Sequence, residues 1–368
     1  MSTFAGKVGV VQRVLAEYRA PFFNALGQAC PGGLEVFAGE PRDDEMIKTA
    51  TSLDSAHLIH GKNLHLLKSN FYLCLQFGLL RWLKQFNPDI LIVEANPRYL
   101  RTPAALRWMR KRARPVIGWG LGAPPISGLL TGLRRRRRTH FISQFDALIT
   151  YSQTGADEYA RLGFPPERIL IAINAVAPAP THPLPVRPVP AKDQPERVLF
   201  VGRLQARKQV DQLLRACAQL PELLQPDLVI VGDGPDRERL ENLAEEVYPR
   251  AVFTGALYGA ELAEQFREAD LFVLPGTGGL ALQQAMSYGL PLIAAEADGT
   301  QADLVRPENG WQIPPDDLPA LGAALSTALR DIPMLRKMGA ESYRIVSEEI
   351  NLEKMVAVFI EALKRSLP

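Results

Sequence analysis

The sequence predicts an α/β protein with two doubly wound domains that face each other across a cleft. Short β-branched strands alternate with longer helical segments along the whole chain, and one proline-rich stretch interrupts this alternation near the middle. Strands that are apolar throughout are typical of parallel sheets covered by helices on both faces. The length of 368 residues also suits two domains, each large enough to bury a core.

The first half of the chain supplies the elements of one such domain. Its strands are expected at 8–11, 34–37, 89–94, 114–119, 146–151 and 168–173. Its helices are expected near 21–29, 70–86, 101–113, 127–142 and 153–162. His57, His60 and His65 lie in one polar stretch without metal-ligand spacing, so we expect a solvated loop there.

The second half repeats the same alternation. Its strands are expected at 197–202, 227–232, 251–255, 270–275 and 291–296. Its helices are expected near 208–220, 236–247, 259–268, 279–288, 317–330, 333–348 and 351–366.

The proline-rich stretch sets the domain boundary. Residues 176–196 contain seven prolines in 21 residues, which favours an extended connector with few backbone donors. We therefore place one domain at 1–175, a linker at 176–196 and a second domain at 197–348. The last helix, 349–368, is a separate segment that we allow to cross back to the first domain. Ligands of such folds bind at the carboxyl ends of the strands.

The net charge of +2 conceals a strong asymmetry. Residues 1–175 carry a balance of +10, whereas residues 176–368 carry −8. This separation favours different partners for the two domains.

Cysteine usage and hydropathy indicate the compartment. The three cysteines are far apart and form no Cys-x-x-Cys pair, so a disulfide framework is not expected. The N-terminal residues lack the pattern of a signal peptide, and no run of about 18 apolar residues occurs. We expect a cytoplasmic protein that can associate peripherally with the inner face of the cell membrane.

Three segments of the second domain carry the residue types that bind phosphate. In the first, a strand ends at Gly202 and is followed by Arg203 and Lys208, whose cations could clamp a diphosphate at a helix start. The second is a tight strand-to-helix turn at Gly232. The third is a glycine-rich loop, 275–279, that opens a helix and points backbone N–H groups at an anion.

In this order and spacing, the three segments resemble the C-terminal domain of family four (group 1) retaining glycosyltransferases, whose GT-B fold has two Rossmann-like domains. The resemblance implies that Arg203 and Lys208 stabilise the leaving diphosphate. The donor-binding residues that it implies are Gly202, Gly232, Thr277, Gly278, Gly279, Leu280, Gln284 and Asp303.

The chain departs from the family pattern at two positions. Gly276 stands where the family has a glutamate that holds the donor sugar, and Gln284 stands where a second glutamate holds the ribose. Gln284 can still hydrogen-bond a ribose hydroxyl, but without a charge. The segment 114–125 also lacks the histidine that many relatives place near the cleft.

The activity implied by the resemblance is retaining transfer of a sugar from a nucleoside-diphosphate sugar to a glycan or a lipid-linked acceptor. The setting that it implies is the biosynthesis of surface polysaccharide or glycoconjugates. The family does not generally need a metal, and the chain has no Asp-x-Asp pair, so we expect neither a metal nor a cofactor.

Acceptor-side residues are expected after the strands of the first domain. Arg19 lies in the loop after the first strand, and Trp119 and Gly120 end another strand. An ion pair of Arg19 with Glu17 or another carboxylate is the structural alternative for this arginine.

The basic charge of the first half is concentrated in two clusters, 107–114 and 134–138. The run Arg134, Arg135, Arg136, Arg137 and Arg138 could bind anionic lipid headgroups at about 1 kcal/mol per charge. A solvated helix face is the alternative. No aromatic platform accompanies the run, so nucleic acid is not an expected partner.

Two other functions compete with transfer. Gly118, Gly120 and Ala123 superficially fit a dinucleotide fingerprint, but Pro124 and Pro125 follow at once and no acidic residue follows at the required distance. The other alternative is a non-catalytic nucleotide-sugar-binding or scaffold protein of the same fold, which the residues at 276 and 284 favour.

Overall fold

The computed structural model describes residues 2–45, 47–68, 71–124, 126, 128, 131–187, 195–297 and 301–367. The chain divides into two compact units, one formed by Met1–Pro178 with Leu352–Pro368 and one by Ala179–Asn351. Each unit has a fully parallel central sheet, so the prediction of two doubly wound α/β domains is confirmed.

The sheet of the first unit has seven strands in the order β3–β2–β1–β6–β7–β8–β9. These strands are β1 (Val8–Val14), β2 (Leu34–Gly39), β3 (His57–His60), β6 (Ile90–Glu94), β7 (Val116–Gly120), β8 (Ala147–Thr150) and β9 (Ile169–Ile171). A separate antiparallel hairpin consists of β4 (Lys62–Leu66) and β5 (Leu73–Phe77). The helices are α1 (Ala20–Gln28), α2 (Leu79–Phe86), α3 (Thr102–Arg110), α4 (Thr131–Ile142), α5 (Gln153–Arg161) and the C-terminal α13 (Leu352–Ser366).

The sheet of the second unit has six strands in the order β12–β11–β10–β13–β14–β15. These strands are β10 (Arg197–Val201), β11 (Asp227–Val231), β12 (Val252–Gly255), β13 (Leu271–Leu274), β14 (Leu292–Ala295) and β15 (Gly310–Ile313). The helices are α6 (Val210–Gln219), α7 (Arg237–Val247), α8 (Gly259–Glu268), α9 (Leu280–Ser287), α10 (Gln301–Leu304), α11 (Leu318–Leu329) and α12 (Ile332–Glu348).

Both strand orders reverse at one point. In the first unit the reversal lies between β1 and β6, and in the second it lies between β10 and β13. At such a switch point the loops that leave two neighbouring strands diverge to opposite faces of the sheet, which opens a crevice at their carboxyl ends. Each unit therefore has one preferred place for a ligand.

The helix expected over 70–86 is wrong in its first half, because residues 73–77 form β5. Cys74 and Gln76 are buried while Phe77 is exposed, which follows the period-two pattern of a strand. Gly78 then takes φ +86°, a left-handed conformation suited to glycine, and α2 begins at the next residue. The expected loop at 57–65 is also wrong, because His57–His60 forms an edge strand and Lys62–Leu66 forms half of the hairpin.

Part of the proline-rich stretch packs on the second unit. The Arg187 guanidinium donates to the carbonyls of Phe266 and Ala269 at the end of α8, and to those of Tyr288 and Gly289 at the end of α9, over 2.7–3.2 Å. Cations are stabilised at helix C-termini, where backbone carbonyls lack partners. Burial nevertheless lowers the pKa of Arg187 to about 10, and the nearby Arg336 adds to this effect.

The C-terminal helix α13 belongs to the first unit and packs against α1. Its Phe359 ring contacts the rings of Phe22 and Trp119 at centroid distances of 4.8 Å. These side chains are buried in the larger core of the first unit. None of the helices in the described part of the chain combines the length and the apolarity needed to cross a membrane.

Candidate active site

The loops that leave β10 and β13 meet at the switch point of the second unit. Four hydrogen bonds join them at Thr277, and the longest runs from its hydroxyl to the Arg207 carbonyl at 3.4 Å. The Thr277 N–H donates to the Arg207 carbonyl at 3.0 Å, Lys208 Nζ donates to its carbonyl at 2.6 Å, and Arg207 Nη1 donates to its hydroxyl at 3.0 Å. We call this pair of loops, 202–209 and 275–279, the donor loops, after the role that the sequence predicts for them. The bonds place Lys208 and Thr277, predicted separately, in direct contact.

Gly276 is required by the close approach of the two donor loops. A Cβ atom at this position would lie 2.3 Å from the Arg207 carbonyl oxygen and 2.6 Å from the Lys208 carbonyl carbon. Both are backbone atoms that cannot move aside without opening the loops. The departure from the family glutamate therefore has a local cause, since this loop arrangement has no room for a side chain.

The glycine-rich loop ends at the start of α9. Gly278 takes φ +142°, and a Cβ atom there would lie 2.3 Å from Lys208 Nζ. The backbone bonding of α9 begins when the Leu282 N–H donates to the Gly279 carbonyl, so the preceding N–H groups have no partner within the helix. An ammonium beside the positive end of a helix favours an anion here.

A second close approach fixes the first donor loop from the side of β11. A Cβ atom on Gly232 would lie 1.9 Å from the Gly202 carbonyl oxygen, so glycine is needed for this contact. Leu204 is fully buried, and its N–H donates to the Asp233 carbonyl at 2.9 Å. The predicted residues Gly202 and Gly232 therefore shape the loop backbone.

Lys208 has an unusual ionisation. Burial lowers the pKa of its ammonium to about 8, and the adjacent Arg207 guanidinium contributes to the same shift. An anion next to Nζ would relieve both effects, because it favours the charged form.

The remaining predicted donor residues surround this centre. Arg203 is exposed, Leu280 is exposed at the start of α9, and Gln284 is half-buried on the same helix. Gln301, which the sequence did not indicate, is 2% exposed and donates from Nε2 to the Gly278 carbonyl at 3.0 Å. This bond ties α10, which carries the half-buried Asp303, to the donor loops.

The first unit carries side chains of a different kind at its switch point. Glu94 ends β6, and its Oε2 accepts the Arg13 N–H of β1 at 2.5 Å. Burial raises the pKa of Glu94 to about 7, although the Arg13 N–H and the charges of Arg13 and Arg19 act in the opposite direction. The sequence predictions did not include Glu94, and the signal that could have found it is a carboxylate at the end of an apolar strand.

Arg19, predicted on the acceptor side, lies in an aromatic cage. Its guanidinium carbon is 5.5 Å from the Tyr18 ring centroid, 5.4 Å from that of Trp119 and 5.0 Å from that of Tyr151. The alternative pairing with Glu17 is wrong for this structure, since Glu17 binds Lys48 Nζ at 2.8 Å. The charge of Arg19 instead interacts with that of Glu94.

The other two acceptor-side predictions fall on core positions. Trp119 is 2% exposed, so its ring supports Arg19 from below rather than presenting a surface. A Cβ atom on Gly120 would lie 2.6 Å from the Tyr159 hydroxyl, which makes this glycine a packing residue. Gly118 is similar, with Leu148 Cδ2 2.7 Å from such an atom, so the resemblance to a dinucleotide fingerprint reflects strand packing.

The two basic clusters differ in structure. In the 107–114 cluster, Arg110 donates to the Gln144 carbonyl, Arg112 stacks on Trp108 at 3.9 Å, and Arg114 donates to Asn87 and Pro88. In α4, Arg134 to Arg137 are exposed, whereas Arg138 is half-buried and donates to the Pro124 carbonyl at 2.5 Å. The run of exposed arginines on α4 therefore comprises Arg134 to Arg137, whereas the sequence predicts that Arg138 also belongs to it.

The His, Cys, Asp and Glu side chains of the described residues do not gather into a metal site. Among the described residues, no group of three or more His, Cys, Asp or Glu side chains could hold a metal ion. Cys30, Cys74 and Cys217 are all buried free thiols.

Two protein-family models match the chain. Residues 186–345 match "Glycosyl transferases group 1", and residues 60–175 match "Glycosyl transferase 4-like domain". The GDP-mannose-dependent alpha-mannosyltransferase of Mycobacterium tuberculosis (strain CDC 1551 / Oshkosh) is 46% identical over 111 residues, which are 29% of this chain. The matches span only 27% to 40% of the first three curated relatives' own lengths.

Solved structures resemble the whole chain. The lipopolysaccharide outer core galactosyltransferase WaaB, in its apo form, has a TM-score of 0.71 at 18% identity and covers 98% of this chain and 100% of its own. HepE of Anabaena in complex with UDP has a TM-score of 0.70 at 15% identity, with coverage of 98% and 100%. The fold is therefore GT-B, and each of the two units contains a match to a glycosyl transferase family model.

Proposed function

We propose that the protein transfers a sugar, with retention of anomeric configuration, from a nucleoside-diphosphate sugar to a hydroxyl of a glycan or lipid-linked acceptor. The observation that carries the proposal is the contact of Lys208 Nζ with the Thr277 carbonyl, which places an ammonium beside the glycine-rich start of α9. The complex of HepE with UDP and the GDP-mannose dependence of the mycobacterial relative support a nucleotide-bound donor.

The donor loops would hold the diphosphate. Nζ of Lys208 uses one of its three donors on Thr277, which leaves two for phosphate oxygens. Arg203 is exposed near the start of the first donor loop and adds a second, always charged group. The N–H groups of Gly278, Gly279 and Leu280 complete the set at the helix start.

The reaction follows from where charge develops. The bond from the anomeric carbon to the diphosphate oxygen breaks with its electron pair on that oxygen, and a bond from the acceptor oxygen to the same carbon forms on the same face. The acceptor hydroxyl proton passes to the departing phosphate oxygen. Arg203, Lys208 and the amides at 278–280 stabilise the negative charge as it grows, which lowers the barrier. No metal and no protein nucleophile is needed in this scheme.

The other donor contacts are assigned by position. Gln284 is placed at the ribose, where its amide replaces a carboxylate, and Asp303 is placed near the donor sugar because α10 is tied to the donor loops. Gly276 contributes no side chain to the sugar.

Binding and turnover of nucleotide sugars test the proposal. UDP, GDP, UDP-glucose and GDP-mannose are titrated into the protein by calorimetry, and release of free nucleotide is followed with a panel of octyl glycosides as acceptors. We expect one nucleotide series to bind and to turn over. The proposal is contradicted if no nucleotide binds.

A non-catalytic nucleotide-sugar-binding or scaffold role is the second candidate, favoured by the missing side chain at Gly276. The same experiment distinguishes this role from sugar transfer. Binding without turnover on any acceptor would support the scaffold.

We also propose that the exposed arginines Arg134, Arg135, Arg136 and Arg137, with the half-buried Arg138, bring the protein to an anionic membrane from the cytoplasmic side. Each exposed charge contributes about 1 kcal/mol near such a surface. Replacing Arg134 to Arg137 with Gln should abolish co-sedimentation with phosphatidylglycerol vesicles at low salt. Replacing Arg107 and Arg110 of α3 is the matched control, and equal sedimentation of both variants would contradict the idea.

A further inference from the structure

The switch point of the first unit gathers polar groups that the donor chemistry does not use. Glu94 ends β6, and Arg13 lies in β1. Arg19 lies in the loop after β1, and Tyr151 is the residue after β8. All lie at the carboxyl ends of parallel strands in one sheet, which is where ligands of this architecture bind. Several convergent polar groups at that edge indicate a built site rather than a solvated surface.

The Glu94 carboxylate is held in place by the backbone. Oε2 accepts the Arg13 N–H at 2.5 Å, which holds the side chain against the end of β1. Within the described residues, Oε1 accepts no hydrogen bond. One oxygen therefore anchors the carboxylate and the other is available to a ligand.

Arg19 is positioned by its aromatic cage and is only partly satisfied. Three rings lie within 5.0–5.5 Å of its guanidinium carbon. Its buried Nη1 has no hydrogen-bond partner in the part of the chain that the structure describes, and the same holds for Nε1 of the buried Trp119 below it. A buried N–H without a partner is unfavourable unless a ligand supplies the acceptor.

The other charges of this region are already paired. Arg13 Nη1 binds Glu45 at 2.8 Å, and Arg42 binds Glu45 and Asp44 at 3.6 and 3.2 Å. Among the described residues, Glu94 and Arg19 form no ion pair, their opposite charges interact, and Arg19 Nη1 has no hydrogen-bond partner.

A carboxylate and a guanidinium whose charges interact at one sheet edge suit neighbouring hydroxyls better than an anion. The carboxylate accepts from one hydroxyl and would repel a phosphate, whereas the guanidinium donates to the next oxygen. Aromatic rings around such a pair add apolar area against the C–H face of a ring. Vicinal hydroxyls flanking apolar C–H groups are the signature of a sugar.

We propose that Glu94 and Arg19 bind the acceptor sugar: the Glu94 carboxylate accepts a hydrogen bond from a hydroxyl of this sugar other than the one that is glycosylated, and Arg19 donates to a neighbouring oxygen of the same ring. The identity of the ligand as an acceptor rests on the proposed function. The binding of a sugar at this site does not.

Ionisation of Glu94 makes the site sensitive to pH. Its pKa is raised to about 7 by burial, so the carboxylate that accepts the hydroxyl hydrogen bond forms only as pH rises through neutrality. The titratable and charged groups that interact with it are Arg13, Arg19, Cys74, Tyr99 and Tyr151. The thiol and both phenols have raised pKa values, so they stay neutral in this range. Glu94 is thus the group that sets the pH response.

The test measures sugar binding without nucleotide. Saturation-transfer NMR with a panel of methyl and octyl glycosides is run on the wild type and on Glu94→Gln, Arg19→Met and Asp89→Asn. Asp89→Asn is the matched control, because Asp89 lies just before the amino end of β6 and accepts the Lys7 N–H in the same manner at 2.8 Å. We expect one glycoside to bind the wild type and the control, and to bind Glu94→Gln and Arg19→Met at least tenfold more weakly.

The pH dependence of glycoside affinity shows whether Glu94 contacts the sugar or only supports the structure of the site. Wild-type affinity for the glycoside should rise several-fold from pH 6 to pH 8, and the affinity of Glu94→Gln should be flat. Equal binding by Glu94→Gln, binding of inorganic phosphate in place of glycosides, or no glycoside binding would each overturn the inference. Titration of UDP and GDP into the same samples keeps the two proposals apart. Nucleotide binding without glycoside binding sinks this inference alone, and glycoside binding without nucleotide binding sinks the proposed function alone.

Discussion

The two units share one topology and use it differently. Both sheets reverse strand order at a switch point, yet the second unit shapes its switch point with glycines and backbone amides, and the first with charged and aromatic side chains. In the donor loops, Gly232 and Gly276 each allow two backbones to touch. In the first unit, the cage around Arg19 fills the equivalent position.

Under the proposed function, the two switch points carry out two different recognition tasks. A diphosphate is the same in every nucleotide sugar, so backbone N–H groups and one or two cations suffice to bind it. An acceptor hydroxyl differs between substrates, so its site is built from side chains that can vary without disturbing the sheet.

The largest expected effect is on the second unit. Replacing Lys208 with Met removes a charge-assisted contact of about 2–3 kcal/mol to the diphosphate. Nucleotide affinity should fall by roughly 100-fold in calorimetry. Lys337→Met, an exposed lysine on α12, is the control and should bind as the wild type does. Comparable losses of nucleotide affinity in both variants would show that the affinity depends on the overall charge of the protein and not on a site at Lys208.

Gly276→Ala tests the close approach of the donor loops. A methyl group 2.3–2.7 Å from the Arg207–Lys208 backbone forces the loops apart, which should lower the free energy of unfolding by about 1–3 kcal/mol. Denaturant unfolding measures this change. Gly322→Ala is the matched control, because a methyl group there, on α11, would meet no atom within 4 Å beyond the backbone of its own helix. Unchanged stability of Gly276→Ala would mean that the loops do not pack as described.

The pH dependence of donor binding follows from Lys208. Its pKa is lowered to about 8 by burial, so the ammonium that binds diphosphate is present below pH 8 and is lost above it. Nucleotide affinity should therefore fall by up to about tenfold between pH 8 and pH 9. Lys208→Arg should bind with little change over this interval, since arginine stays charged. An equally steep decline in Lys208→Arg would assign the titration to another group.

The smallest effect concerns stability in the first unit. Because the pKa of Glu94 is raised to about 7, the folded state favours the protonated acid, and this contribution to stability is lost as pH rises from about 4.5 to 7. Glu94→Gln removes the titration, so relative to the wild type it should gain about 1 kcal/mol in unfolding free energy at pH 8 compared with pH 6. Thermal unfolding at the two pH values measures the difference. A loss of stability at pH 8 would make Glu94 a structural residue.

The fold and the donor loops are predictable because their signals are local. Strand and helix periodicity indicates most elements, and the family resemblance groups Lys208, Thr277 and Gly278, which the structure brings together. The strand at 73–77 is missed because a short apolar run fits the pattern of a strand and that of a helix equally well. Only the left-handed conformation of Gly78 shows that the helix begins after this residue. The sequence does not decide to which domain the C-terminal helix belongs. In the structure this helix belongs to the first unit.

The site of the first unit is less predictable because its residues are far apart in the sequence. The loop after the first strand points to Arg19, but Glu94, Arg13 and Tyr151 come from three other strand ends and form no motif. Trp119 shows the opposite error, since an aromatic residue at a strand end is expected at a surface and is instead a core residue that supports Arg19. Only the strand order brings these groups to one edge.

The division of tasks between the two switch points is tested most directly by nucleotide titration of two variants. UDP and GDP are titrated into the wild type, Lys208→Met and Glu94→Gln at a pH of about 7.5, where the Lys208 ammonium is still mostly charged. We predict that nucleotide binding is lost in Lys208→Met and is unchanged in Glu94→Gln. Loss of nucleotide binding in Glu94→Gln, with binding retained in Lys208→Met, would contradict the account.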